Sequence, residues 1–453
     1  MSNQIDMLHG SIAKKILLFT LPLVATGIVQ QLFNTADSII LGRFASSEAL
    51  AAVGSTAPII NLSINLFIGL SIGANVVIAS YIGQGKRNQI SGAVHTTVLL
   101  SVIAGVLVGV IGILIARPML LAMDSPENVI DLSTAYLRIF YAGMPFMMIY
   151  NYSASILRSK GDTKRPLFVL LCTGVIKIGL SLFFVVGLGL SVKGVAIATI
   201  IANLLNSSIL IFMLLREERP FKLYPRRLRI RTDDLKKILK IGVPAGVQGM
   251  VFSFSNVVIQ SSINGFGSDA IAGSAAAVNF EFICFFVVNG FGQAAVTFTS
   301  QNFGAKDRER CRIVCRDCLI LGTIAMLICN LGFAWGRNVF LLAFTVDAAV
   351  LPWAKIRMTH VLVFQWIACF YEITGQCMRG MGHSLLPALI AVLGSCVLRI
   401  IWIYTFFQSI GTFESLLAAY PITWTLTAIA TVIAYLIVSR KEFRKMSDAK
   451  AGN

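Results

Sequence analysis

Twelve apolar runs follow one another along this chain of 453 residues, each near the roughly 20 residues a helix needs to cross a bilayer. They cover about 14–41, 52–80, 91–115, 131–157, 166–188, 192–216, 236–264, 272–302, 311–335, 350–380, 385–407 and 413–438. No other feature restricts the fold as much. In hydrocarbon every backbone N–H and C=O must be bonded within the protein, which only helices and closed barrels achieve. Barrel strands alternate apolar and polar residues over about ten positions, whereas these runs are continuous. Only 13% of the residues are charged, about half the share of a soluble domain. The sequence therefore predicts an all-α polytopic membrane protein with twelve transmembrane helices. Its polar start, MSNQIDMLHGSIAKK, lacks a small-residue cleavage site after a short apolar core, so the first span is expected to be retained.

The formal net charge of +17 does not point to nucleic acid, because of where the cations fall. Of 38 Lys and Arg, 29 lie in residues 1–15, 83–92, 158–166, 215–240, 304–316, 379–384 and 439–453. These are both termini and every second connection, the arrangement that places basic segments in the cytoplasm. The intervening connections carry acids instead, such as Asp124, Glu127 and Asp131. The densest basic stretch, PRRLRIR at 225–231, suits anionic lipid headgroups.

That stretch also divides the chain into halves that repeat each other. KKI at 14–16 recurs at 236–238, Pro22 matches Pro244 and Asn34 matches Asn256, all at an offset of 222. LRSKGDTKRP (157–166) aligns with MRGMGHSLLP (378–387), sharing Arg, Gly and Pro. The expected organisation is an N-lobe at 1–215, a linker at 216–235 and a C-lobe with its tail at 236–453. Six crossings per lobe give the two lobes the same orientation, a parallel repeat of the kind found in transporters with a site between halves.

Five ionisable groups lie deep in the runs: Asp37, Lys177, Glu281, Glu372 and Arg399. Such groups are costly in a bilayer and usually mark ion or substrate pathways; the second reading is salt bridges that only pin helices. Asp37 lies six residues before Arg43, about 9 Å from the end of its span. Gln30, Gln31, Asn34 and Thr35 precede it, and Asn203 and Asn206 lie in the sixth run. FEFICFF (280–286) offers aromatic surface for a planar cation, although such rings more often face lipid. GLSIG (69–73) reads as a small-residue packing face. CRIVCRDC places Cys311, Cys315 and Cys318 at the start of a membrane helix, a context that argues against a metal or cluster site. No cofactor is expected. His9, His95, His360 and His383 are isolated, which argues against an embedded enzyme.

The pattern resembles the multidrug and toxic compound extrusion family along essentially the whole chain. The motifs that carry the resemblance are LPLVATGIVQQLFNTADSIILGRF, SILRSKGDTKRP, GVAIATIIAN, QAAVTFTSQNFGAK and GQCMRGMG. The resemblance implies an inner-membrane exporter of two pseudo-symmetric six-helix lobes around a central V-shaped cavity. It would exchange amphipathic, usually cationic small molecules for protons or sodium. Pro22 then permits a bend in the first span, Pro244 holds the matching position in the second lobe, and Asp37 takes the coupling ion. In sodium-binding members the fifth span resembles N-x-x-L-D, whereas here it reads K-I-G-L-S: Lys177 stands at the amide position and Ser181 at the acid. Asp37 and Thr199 keep the other two places. The expectation is an ion pair between Lys177 and Asp37, and protons rather than sodium; the alternative is that Lys177 snorkels to the interface. Arg399 stands in VLRI where Lys177 stands in VIKI, and is expected to pair with Glu281 or Glu372. The chain is read as a monomer whose partners are small molecules, the coupling ion and membrane lipids. A flippase for lipid-linked precursors is the second functional reading, though it calls for more cavity cations than Lys177 and Arg399.

Overall fold

The computed structural model describes residues 4–123, 127–343 and 347–451; Asp124 lies outside them. Within that range the chain is nearly all helix and contains no strand. The first half comprises α1 (Ile12–Phe44), α2 (Ser47–Gly83), α3 (Arg87–Ala122), α4 (Glu127–Ala142), α5 (Met144–Ser159), α6 (Lys164–Gly187) and α7 (Ser191–Arg216). The second comprises α8 (Thr232–Asn264), α9 (Ser268–Gly304), α10 (Arg308–Trp335), α11 (Leu351–Gly380), α12 (Leu385–Ile410) and α13 (Phe413–Asp448).

Among the described residues, eleven helices are long and apolar enough to cross a membrane. The run expected at 131–157 departs from the other eleven: it is two helices of 16 residues, α4 and α5, joined at Gly143. Gly143 and Pro145 stand at the break: Pro145 has no N–H to offer the Tyr141 carbonyl, and it sits in the first turn of α5. Gly105 and Gly109 of α3 fit against Pro145 and the Tyr141 carbonyl, which packs the break closely. In α11 the ladder also changes, to a 3-10 segment at Leu362–Ile367. The two interruptions occupy matching places in the two halves.

The chain forms two compact units that do not follow the expected lobes. One is Met1–Ile5 with Ala25–Gly242; the other is Asp6–Val24 with Val243–Asn453. The linker and the start of α8 thus belong with the first half, while the first part of α1 belongs with the second. The divisions fall within three residues of Pro22 and Pro244, where the helix ladder loses a donor. Tight crossings hold the exchanged segments. In the first unit, Gly73 of α2 lies against the Ile238 carbonyl and Gly242 of α8 lies against the Leu70 backbone, so GLSIG is a packing face. In the second, Gly290 of α9 receives Thr20 and Val24 of α1, and Phe19 meets Phe298 edge-on at 5.6 Å.

The linker is pinned inside the first unit. The Tyr224 amide donates to His95 Nε2 (3.0 Å) and the Tyr81 hydroxyl donates to Asp234 Oδ1 (2.7 Å). Gly161 and Gly382, at matching places in the halves, both adopt positive φ (94° and 89°), a backbone region that favours glycine.

Candidate functional site

Asp37 of α1 and Lys177 of α6 meet inside the first unit, with Asp37 Oδ2 2.6 Å from Lys177 Nζ. Ser181 stands one turn after Lys177 on the same helix face and donates to Asp37 Oδ1 at 3.1 Å. Both carboxylate oxygens therefore have a partner. Asp37 and Lys177 are each 8% exposed and Ser181 is fully buried, so Lys177 does not snorkel. The backbone explains the approach of α1 to α6: Gly174, one turn before Lys177, leaves room for the Phe33 ring, which any Cβ there would strike.

An apolar cluster covers one end of the pair. Ile40 and Leu41 follow Asp37, Val185 follows Ser181, and Val192, Val195 and Ala196 come from α7. At the other end Thr173 donates to Asn206 Oδ1 at 2.6 Å. Thr199 donates to the carbonyl of Val195 in its own helix (2.9 Å), not to Asp37. Gln30 and Asn34 are exposed, and neither forms a described bond to Asp37. The core of this site is thus one carboxylate, one ammonium and one hydroxyl. It can hold a proton or an ion only if Asp37 changes partner. A buried charge stripped of its partner costs about 3–5 kcal/mol.

The second unit departs from expectation. Arg399 pairs with neither Glu281 nor Glu372. Arg357 of α11 takes Glu281 instead, with Nε 2.6 Å from Oε1 and Nη2 2.9 Å from Oε2. Its Nη1 donates to Ser274 at 2.7 Å, and Gln365 Nε2 donates to the Glu281 carbonyl at 3.0 Å. Helix packing decides the partner: Gly273 lets α9 close onto Val350 and Ala354, which brings Arg357, one turn further along α11, level with Glu281. Glu372 Oε1 accepts from Gln376 Nε2 at 2.8 Å. Arg399 lies with its Cζ 4.3 Å from the Tyr420 ring centre.

Other groups sort into structure. Phe280 packs on Phe333 and Phe340, while Phe282 and Phe285 are exposed apolar surface. Cys311, Cys315 and Cys318 are buried free thiols. In the first unit, Glu217 forms an ion pair with Lys160 (2.6 Å) and accepts from Arg165 (2.5 Å), and Arg165 also binds Asp162. Burial alone would raise the Glu217 pKa, but these two cations hold its carboxyl below the usual glutamate range.

The MatE family model matches this chain twice, at residues 22–183 and 244–405. The chain belongs to the MatE family. Both ends of the two matches differ by 222, the offset already visible in the sequence, so each half carries one MatE unit. Among relatives of this MatE chain, a Bacillus subtilis protein named "Probable multidrug resistance protein YoeA" is 27% identical over 397 residues, covering 84% of each chain. The FAD transporter of Shewanella oneidensis is 24% identical over 95% of this chain and 96% of its own. A crystal structure of MATE in complex with MaL6 matches with a TM-score of 0.90 at 20% identity, over 99% of this chain and 100% of that one. That likeness shows the fold, a bundle of long apolar helices.

Sequence reasoning missed Arg357 and Glu217 in this MatE chain. Arg357 sits in WAKIR, near the start of its span, where a cation reads as an interfacial anchor. Its two-toothed bond to Glu281 depends on a helix contact that spacing does not reveal.

Proposed function

We propose that this MatE protein is a secondary efflux transporter that exports amphipathic, largely cationic small molecules in exchange for protons by alternating access. The observation that carries the reading is the buried Asp37–Lys177 ion pair with Ser181 on the second carboxylate oxygen. A hard cation needs several oxygen ligands, and Lys177 replaces one with a positive charge. The ammonium acts as a tethered stand-in for the ion. Both oxygens of Asp37 are occupied by Lys177 and Ser181, so it takes up a proton by exchanging these partners during the transport cycle. The names of curated relatives and the positive-inside arrangement support an exporter of the inner membrane with both termini in the cytoplasm.

The test is dye efflux from proteoliposomes under a pH gradient or a sodium gradient. Efflux is expected to follow the pH gradient and to collapse with a protonophore. Asp37→Asn is expected to remove exchange while the purified protein stays monodisperse. Efflux that requires sodium and ignores the protonophore would overturn proton coupling, and normal exchange by Asp37→Asn would overturn the site. The flippase reading is weaker, because of its two expected cations Lys177 is occupied by Asp37, which leaves Arg399 alone without a carboxylate among the described residues.

A further inference from the structure

The buried charges of the second unit do not balance around Tyr420. Two guanidinium groups approach its ring, Arg399 at 4.3 Å and Arg357 at 5.6 Å, and the ion-pair partner found for them is Glu281, bound to Arg357. Glu372 is bonded to Gln376. Arg399 is 2% exposed, and its Nε and Nη2 atoms have no hydrogen-bond partner among the described residues. Those two nitrogens form one edge of the guanidinium fork, the edge that grips a carboxylate with two parallel bonds. Arg357 uses the same edge in that way, through Nε and Nη2 to the two oxygens of Glu281.

Packing against Tyr420 compensates part of the Arg399 charge but satisfies none of its N–H groups, and an unmet buried cation is strongly unfavourable. Such groups persist within membrane spans where they serve a ligand. The local backbone is also unusual. Arg399 lies on the α-helical turn Leu398–Trp402, between π-helical segments at Val392–Val397 and Ile403–Phe407, and π turns concentrate at functional positions. Arg399 is 11 residues from the nearer end of α12, about 16 Å along the axis. A lipid headgroup at the interface does not reach it.

We propose that Arg399 binds a carboxylate on the transported molecule through its Nε–Nη2 edge, so that the passengers include zwitterionic amphiphiles, cations that also bear a carboxylate. The proposal rests on the export reading and narrows its substrate class. The experiment uses the purified full-length protein and two dyes that differ at one group, rhodamine B with its free carboxylate and the methyl ester of rhodamine B. Binding is read by fluorescence anisotropy, and export of each dye from proteoliposomes is read separately. Wild type is expected to bind the acid more tightly than the ester. Arg399→Gln is expected to weaken the acid roughly ten- to hundredfold and to leave the ester within about twofold. Arg399→Lys, which keeps charge without the fork, is expected to recover part of the loss and also serves if the Gln variant does not fold. Equal affinity of wild type for the two dyes, or an equal effect of the variants on both, would overturn the proposal. If both dyes bind as expected but neither is exported, the export reading fails while the carboxylate site stands.

Discussion

Lys177 illustrates how a single ionisable residue is made tolerable inside a membrane span. Its charge is matched by Asp37 at 2.6 Å, and Ser181 occupies the remaining carboxylate oxygen. The pair is neutral as a unit, so either partner alone is the expensive state. Converting the frame to the oxygen-rich form tests this: Lys177→Asn with Ser181→Asp is expected to make dye efflux respond to sodium, measured against a matched potassium gradient, whereas the parent does not respond. Arg357 and Glu281 form another closely held pair. Arg357→Met is expected to destabilise the second unit by about 3–5 kcal/mol, and adding Glu281→Gln is expected to restore part of the loss, as read from thermal unfolding of the single and double variants. In the first unit, Glu217 behaves as a depressed carboxylate. Its contribution to stability is present above the unfolded-state pKa of about 4.3 and is lost as pH falls through its lower folded value. Glu217→Gln is therefore expected to lower stability at neutral pH and to flatten the acid limb of the stability curve below pH ~4.

At the scale of elements, helix contacts rather than helix propensity set the geometry. Gly73 and Gly242 let α2 and α8 meet backbone to backbone, and Gly174 admits Phe33 between α1 and α6. Overpacking such a contact costs about 1–3 kcal/mol. Gly73→Ala is expected to lower the melting temperature by that measure, because its Cβ would fall on the Ile238 carbonyl, whereas Gly54→Ala, with nothing within 4 Å, is expected to leave it unchanged. The α4–α5 break belongs to the same scale. Residues 131–157 are as apolar as any span, but Gly143 and Pro145 divide them, and the punctuation was present in the sequence as GMP.

For the whole molecule, the chain is two MatE units offset by 222 residues, yet its compact units exchange short segments. Asp6–Val24 of α1 belongs to the second unit, and the chain up to Gly242 of α8 belongs to the first. Each of these helices therefore runs through both units, with a proline near the division. Replacing Pro22 by Ala restores the missing ladder donor and is expected to stiffen α1. Slower dye efflux with unchanged dye binding, compared in the same proteoliposome preparation, is the outcome that checks it.

The sequence by itself determined the class, the number of apolar runs and the internal repeat, while the meeting of Lys177 with Asp37 was an expectation that the family resemblance implied, with snorkelling as the alternative. Those three features follow from local rules: hydrocarbon demands helices, and duplication leaves an offset. Tertiary structure decided which acid each arginine receives. Arg399 was expected to take Glu281 or Glu372, but Gly273 draws α9 onto the first half of α11, and Arg357 arrives at Glu281 first. It likewise decided that Thr199 bonds within its own helix and that the unit boundaries cut through α1 and α8. Pairing across helices depends on crossing angle and axial offset, and these are fixed by small-residue contacts far apart in the chain, which no local pattern records.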